Sequence, residues 1–429
     1  METARSAALL VLKRGRKRGE WANEGLKKVL KGMDSREAAL ATRLVYGVVQ
    51  NRLLLDEYLR KLSSLPLEKL DETVLDILRL GGYQILFMDQ IPARAAVDEA
   101  VKLTKANAKN PKTAGFVNAV LRNLDRQRDT LLPLPKGTWE RLSIQYSHPL
   151  WLVEEFAAQL GGDAGQVEAL LAANNTPAPM TVQVNLCKVT AQELKTEWEA
   201  EGVSVREHPW MKDCFLLEST GDLEQLGSFQ RGLFYVQDPA ARAAVLAASP
   251  KPGERVLDLC AAPGGKSFAA AVVMGGAGEI VSRDVYPWKV EELQKAAARL
   301  GFSNVKATVG DATKPAEGKY DLVMADVPCS GLGIIRKKPD IRYKDPAEFG
   351  ALAAIQTAIL ENAGNVVRSG GRLLYATCTL RREENQERVA AFLRQQGGRF
   401  ALACEETLWP HQRGTDGFYY AVLTREAEG

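Results

Sequence analysis

Residues 255–274 read RVLDLCAAPGGKSFAAAVVM, and the reading of this stretch decides the fold of the second half of the chain. Arg255 to Cys260 is an apolar run of strand length, Gly264-Gly265 is a turn, and the alanine-rich continuation suits a helix. The same alternation continues downstream. GEIVSRD (278–284), VKATVGD (305–311), YDLVMADVP (320–328) and GGRLLYATC (370–378) read as strands. WKVEELQKAAARLG (288–301), EFGALAAIQTAILENAGNVV (348–367) and EENQERVAAFLRQQ (383–396) read as helices between and after them. Units of this length predict a parallel, doubly wound α/β sheet with helices on both faces. FALACEE (400–406) and DGFYYAVLTR (416–425) would close it as an antiparallel pair.

Upstream the pattern changes. ARSAALLVLKRG (4–15), SREAALATRLVYGVVQNRLLLDEYLRKL (35–62), LDETVLDILRLGGYQILF (70–87), ARAAVDEAVKLTKAN (93–107) and GFVNAVLRNL (115–124) carry apolar residues at helical spacing. Gly81-Gly82 either interrupts a helix or admits a close neighbour, and Ile91-Pro92 and Asn110-Pro111 read as breaks. LLPLPKG (131–137) reads as a linker. Between 145 and 235, strands MTVQVNL (180–186) and CFLLES (214–219) mix with helices, as in a small α+β module. The expected division is therefore 1–135 all helical, 145–235 α+β, and 236–429 the doubly wound domain. His148 and His208 each precede a proline and are read as turn residues.

A chain of 429 residues, 46% hydrophobic and 25% charged, is too long for one core and has the composition of a soluble protein. Its first apolar run, Ala7 to Leu12, is too short for a signal peptide or a membrane span, so a cytoplasmic location without a membrane partner is expected. Six cysteines without a C-x-x-C pair speak against a metal site or a disulfide framework and for reduced thiols. Residues 1–150 hold 26 Lys/Arg against 17 Asp/Glu, while the remainder holds 30 against 36. That asymmetry, with KRGRKR at 13–18, points to a polyanion on the N-terminal part; a solvated helical surface is the plainer alternative.

Ligands of doubly wound sheets bind beyond the carboxyl ends of the strands. Here those ends carry Asp258, Asp284, Asp311 and Asp326 in turn, with the glycine turn after the first. An acid there can accept from ribose hydroxyls (Asp284) or meet an adenine amino group (Asp311). Neither a G-x-G-x-x-G fingerprint nor a phosphate-binding P-loop is present, and a nucleoside-type cofactor is the better reading. On the same rim lie two cysteines, in DVPCSGLGIIRKKPDIR (326–342) and LLYATCTL (373–380). Core packing is the ordinary fate of a cysteine after a strand, but the neighbours of Cys329 and Cys378 are polar or turn-forming. Thiols beside a methyl-donor pocket suit methylation of a pyrimidine at C5. A thiolate adding to C6 makes C5 nucleophilic, an acid at N3 helps the addition, and a base removes the C5 proton.

DLCAAPGGK (258–266), DVPCSGLGIIRKKPDIR and YATCTLRREEN (375–385) resemble, in order, the motifs of the NOL/NOP2/Sun family of RNA 5-methylcytosine methyltransferases. The likeness covers about residues 145–429. ARSAALLVL, WANEGL, IPARAAVDEAVKLTK and GFVNAVLRNL resemble a NusB RNA-binding domain. The resemblance implies a Rossmann-like class I methyltransferase sheet, S-adenosyl-L-methionine as cofactor and 16S ribosomal RNA as partner, with no DNA and a monomeric enzyme. It implies Cys378 as nucleophile, Cys329 in release of the product, Asp326 on the cytosine ring and Lys266 orienting it. Cys260, Ala261, Ala262, Pro263, Gly264, Gly265 and Lys266, with Asp284, Asp311 and Asp326, would line the cofactor site. The sequence departs from the family in Tyr286-Pro287-Trp288, Lys289, Ser267-Phe268 and Thr379. The same chemistry on a tRNA or another rRNA cytosine, and a non-catalytic RNA-binding assembly factor, are the alternatives; the second would need neither cysteine.

Overall fold

The computed structural model of the chain describes residues 3–108, 110, 112–130, 134–219 and 221–427. It forms two compact units: one runs from the N-terminus to Thr176 and takes in Ile335–Lys344, and the other holds Pro177–Ile334 and the chain from Asp345 onward. Among the described residues no helix is long and apolar enough to cross a membrane. The linker read at 131–137 and the break at Asn110-Pro111 lie partly outside the described residues.

The first unit is helical. Asp34 and Asp71 open the helices Ser35–Gln50 and Glu72–Phe87 by accepting from backbone amides of the first turn. Leu44, Leu55, Leu59, Ile77, Leu78, Leu121 and Leu124, from four helices, are fully buried in one shared core. The periodic run 35–62 is two helices rather than one: Asn51, at φ −112°, ends the first, and Arg52–Leu62 follows. Gly81-Gly82 does not interrupt its helix. A Cβ on Gly81 would stand 2.5 Å from the Leu121 side chain, so the glycine serves close helix packing. Leu150–Gln159 and Ala164–Asn174, read above with the α+β module, group with this helical unit. Within KRGRKR, Arg16 pairs with Glu72 at 2.8 Å and with the buried Asp76. That arginine ties two helices together.

Ile335–Lys344 completes the same unit from far along the chain. Arg342, with no exposed surface, donates through Nη1 to the carbonyls of Gln50 (3.3 Å), Tyr146 (3.2 Å) and Ser147 (3.2 Å) and to Asn175 Oδ1 (2.9 Å). The Tyr343 hydroxyl donates to Val49 O at 2.9 Å, and the Arg52 guanidinium lies 3.4 Å from the Tyr343 ring centroid. Asp340 accepts from Ala22 N at 2.8 Å. Val49 and Gln50 end one helix and Tyr146 follows another, so Arg342 and Tyr343 satisfy carbonyls that helix C-termini leave open, at the negative end of each dipole.

The second unit holds two sheets. The smaller has strands β1 (Met180–Val184), β2 (Ser204–Glu207), β3 (Cys214–Ser219) and β4 (Phe234–Val236), all antiparallel in the order β2-β3-β1-β4. The sequence reading found β1 and β3 and missed the two short outer strands. The larger sheet has β5 (Arg255–Asp258), β6 (Glu279–Asp284), β7 (Val305–Val309), β8 (Tyr320–Asp326), β9 (Val367–Thr377), β10 (Phe400–Leu408) and β11 (Phe418–Arg425). Their order is β10-β11-β9-β8-β5-β6-β7, parallel from β9 to β7, with β11 antiparallel to β9 and β10. The chain moves outward from β5 through β6 to β7, then returns to β8 on the other side of β5. This reversal is where a doubly wound sheet opens a crevice.

Candidate active site

The glycine turn follows β5 directly. Ala261 N donates to Arg283 O on β6 at 2.8 Å, and Gly264 sits at φ +111°, where a Cβ would press to 2.4 Å from the Phe268 ring. Glycine is required there. The helix Gly265–Val273 starts at once, so its first amides face the crevice. Ser267 is buried and donates to Asp258 Oδ2 at 2.8 Å, with Ser282 Oγ at 2.7 Å. The serine hydroxyl thus ties the strand-end acid to the neighbouring strand. Asp258 has no exposed surface, its Oδ1 has no protein partner, and burial pushes its carboxyl up to about 6. Both polar atoms of the Gln237 amide are also buried without a partner, beside Gly265.

The other acids end neighbouring strands. Asp284, last in β6, accepts from Tyr286 N at 3.1 Å through one oxygen. Gly310 N donates to its backbone carbonyl, which brings Asp311 alongside. Asp311 binds Thr313 Oγ1 (2.6 Å) and N (2.9 Å), and these bonds hold its carboxyl below the usual range. Past Asp284, Tyr286 and Trp288 are about half exposed, with the Lys289 ammonium 4.6 and 5.7 Å from their ring centroids.

Lys266 and Asp326 meet across β5 and β8, with Nζ 2.5 Å from Oδ2. Burial works against the lysine charge, but Asp326 outweighs it and the ammonium is held above its ordinary range. Beyond Asp326 the two cysteines come together, Sγ to Sγ at 3.4 Å. Their strands lie side by side on one flank of β5. Of the two, β8 is next to β5 and β9 lies one place farther out, so the thiols touch each other. The contact with Cys378, and then burial, push the Cys329 thiol well up. Either sulfur can donate across this contact, which places each thiol within reach of the other's proton.

The sequence reading missed the frame that holds the thiols. Ser330 Oγ and Thr379 Oγ1 lie 2.7 Å apart, and Gly333 N donates to Cys378 O at 2.9 Å. Asn385 accepts from Thr377 Oγ1 at 2.6 Å and donates to Thr379 O at 2.9 Å. Glu384, 3% exposed, accepts from Ser330 N at 2.9 Å. In sequence Glu384 and Asn385 close the YATCTLRREEN motif, and Ser330 and Gly333 follow Cys329, but nothing in either stretch shows that they meet.

Comparison with known proteins agrees with this geometry. A family model described as 16S rRNA methyltransferase RsmB/F matches residues 245–424, NusB family matches 2–126, and an RsmF/B-like ferredoxin-like domain matches 148–224. The chain is 35% identical to the probable ribosomal RNA small subunit methyltransferase B of Bacillus subtilis, over 99% of both chains. It is 31% identical to ribosomal RNA small subunit methyltransferase B of Erwinia tasmaniensis, again over 99% of both. Among solved structures, PH0851 superposes with a TM-score of 0.79 at 26% identity, covering 98% of each chain. NSun6 from Pyrococcus horikoshii, solved with SFG, superposes with a TM-score of 0.59 at 20% identity, over 65% of this chain and 99% of that one.

Proposed function

Because this chain belongs to the ribosomal RNA small subunit methyltransferase B family, we propose that it methylates C5 of a cytosine in 16S ribosomal RNA, using S-adenosylmethionine and a covalent Cys378–C6 bond. The observation that carries the reading is the thiol pair at 3.4 Å beyond the Lys266–Asp326 bond.

The residues around the glycine turn fit the cofactor. Buried amide and carboxylate atoms without partners border a turn where side chains are excluded, and carboxylates end the strands on either side. When bound, S-adenosylmethionine supplies an electrophilic methyl group. Cys260 to Lys266 would hold its amino-acid end, Asp284 its ribose hydroxyls and Asp311 its adenine amino group, with Asp326 closing the site. Replacing Asp284 with Ala is expected to weaken cofactor binding by about 1–3 kcal/mol, through loss of charged hydrogen bonds to the ribose. Titration calorimetry giving unchanged affinity would remove Asp284 from the site.

The chain's own chemistry follows from the pair and the thiols. Lys266 offers a donor and Asp326 an acceptor, which matches cytosine, an acceptor at N3 beside a donor at N4. Uracil presents the reverse. As Cys378 adds to C6, negative charge builds in the ring, and the Lys266 ammonium stabilises it. After methylation, solvent water takes the C5 proton, and the electrons of that C–H bond re-form the C5–C6 double bond and expel Cys378 as a thiolate. The Cys329 thiol, already in contact, donates to the departing sulfur. The basic helical domain would hold the RNA phosphates.

Loss of the C5 proton gives the test. With 16S rRNA labelled with tritium at cytosine C5, the enzyme and S-adenosylmethionine should release one tritium per methyl group transferred. Methyl incorporation with the tritium retained would place the reaction on another atom.

A further inference from the structure

The two thiols are alike in chemistry and in contact, yet the proposed reaction needs one ionised and the other protonated. The difference has to come from what surrounds them. Glu384 is the group outside the reacting set that grips the chain on both sides of Cys329. Its Oε2 accepts from Ser330 N at 2.9 Å, immediately after the cysteine. The same oxygen accepts from Gln356 Nε2 at 2.9 Å, and Gln356, with no exposed surface, also donates to Pro328 O at 3.0 Å, immediately before it. The Tyr375 hydroxyl donates to Glu384 O at 2.6 Å and fixes the backbone. The other carboxylate oxygen is buried with no hydrogen-bond partner among the described residues, and Arg381 Nη1 stands 3.9 Å away.

We propose that Glu384 is the positioning residue that makes the cysteines inequivalent: its buried carboxylate, fixed beside Cys329, assigns the shared proton to Cys329 and leaves Cys378 as the anionic thiol. This rests on the two-cysteine reading above. The charges around the pair agree with it. Cys329 faces the carboxylates of Glu384 and Asp326, the Tyr375 phenol and the Cys378 sulfur, and all four push its thiol up or share its environment. The Lys266 ammonium, by contrast, interacts with Cys378. A negative neighbour on one side and a positive one on the other polarise the S–H···S contact in one direction.

Thiol alkylation reads this without RNA or cofactor, so failure of the methylation reading and failure of this one are separable. Iodoacetamide labelling of the full chain, mapped by peptide mass across pH 6–10, gives each cysteine its own titration; the exposed Cys404 corrects for reagent and the buried Cys214 reports unfolding. In the native chain Cys378 should label at lower pH than Cys329. Glu384→Gln keeps the shape and the amide contacts but removes the charge. It should raise Cys329 labelling at pH 7 roughly tenfold, as a one-unit fall in its pKa implies, with Cys214 still protected; Glu384→Asp should restore the native order. An unchanged Cys329 profile in folded Glu384→Gln overturns the proposal. Should Cys214 become reactive, Gln356→Met decides instead. It keeps the volume beside Cys329 but removes one of the two donors that fix the Glu384 carboxylate there, and with Cys214 protected a lower Cys329 titration than in the native chain supports the carboxylate's role, while an unchanged one overturns it.

Discussion

Cys378→Ala should lose methyl transfer by at least about a thousandfold, the scale expected when a covalent nucleophile is removed, and should leave no protein–RNA band on a denaturing gel. Cys329→Ala should do the opposite. Its nucleophile and the Lys266–Asp326 pair are intact, so attack and methylation proceed once. The sulfur that must leave then lacks the thiol at 3.4 Å that would donate to it. The expected product is a stable, methylated adduct migrating as a slower band, with turnover lost. The double variant should show no band. A band with Cys378→Ala and none with Cys329→Ala would exchange the two roles.

The second large effect lies far from any reacting atom. Arg342→Met should destabilise the helical unit by about 3–5 kcal/mol, the range seen when one side of a buried charged hydrogen-bond set is removed. The methionine fills much of the space, but the carbonyls of Gln50, Tyr146 and Ser147 and the Asn175 amide lose their shared donor. Burial holds the guanidinium down at about 10, still protonated at neutral pH, so its charge is solvated by these dipoles. Hydrogen exchange on the full chain should speed up at the C-terminal turn of Ser35–Gln50 and around Tyr146. An unchanged urea midpoint with unchanged protection would show that the carbonyls find other donors.

The doubly wound sheet was legible because strands and helices alternate along the chain and four successive strands, β5 to β8, run into Asp258, Asp284, Asp311 and Asp326, a pattern local to a few residues. Asp326 and both cysteines stood out for the same reason, each ending or following a strand that the sequence announces; Lys266 entered only through the family resemblance. Glu384 and Gln356 did not stand out. Their function comes from burial against Ser330 N and Pro328 O, tens of residues away, and nothing in a run of charges shows that one member turns inward. Asp258 was noted as a strand-end acid, but its missing partner appears only once Ser267 has claimed one oxygen. The helix break at Asn51 was hidden because the apolar spacing continues across it. Arg16 shows the reverse error: within a basic run it looks free for a polyanion, yet Glu72 and Asp76 engage it.

The membership of Ile335–Lys344 in the helical unit bears on how the protein is made. The ribosome delivers the unit's first 176 residues in sequence, and its last ten only after the intervening 158 residues of the second unit. Until Arg342 and Tyr343 emerge from the exit tunnel, the carbonyls of Val49, Gln50, Tyr146 and Ser147 await their donors. The nascent helices can gather early around their leucine core, because those contacts are local in sequence. The last polar closure is synthesised late, so the N-terminal unit is finished by a stretch of chain that directly follows the Cys329 loop.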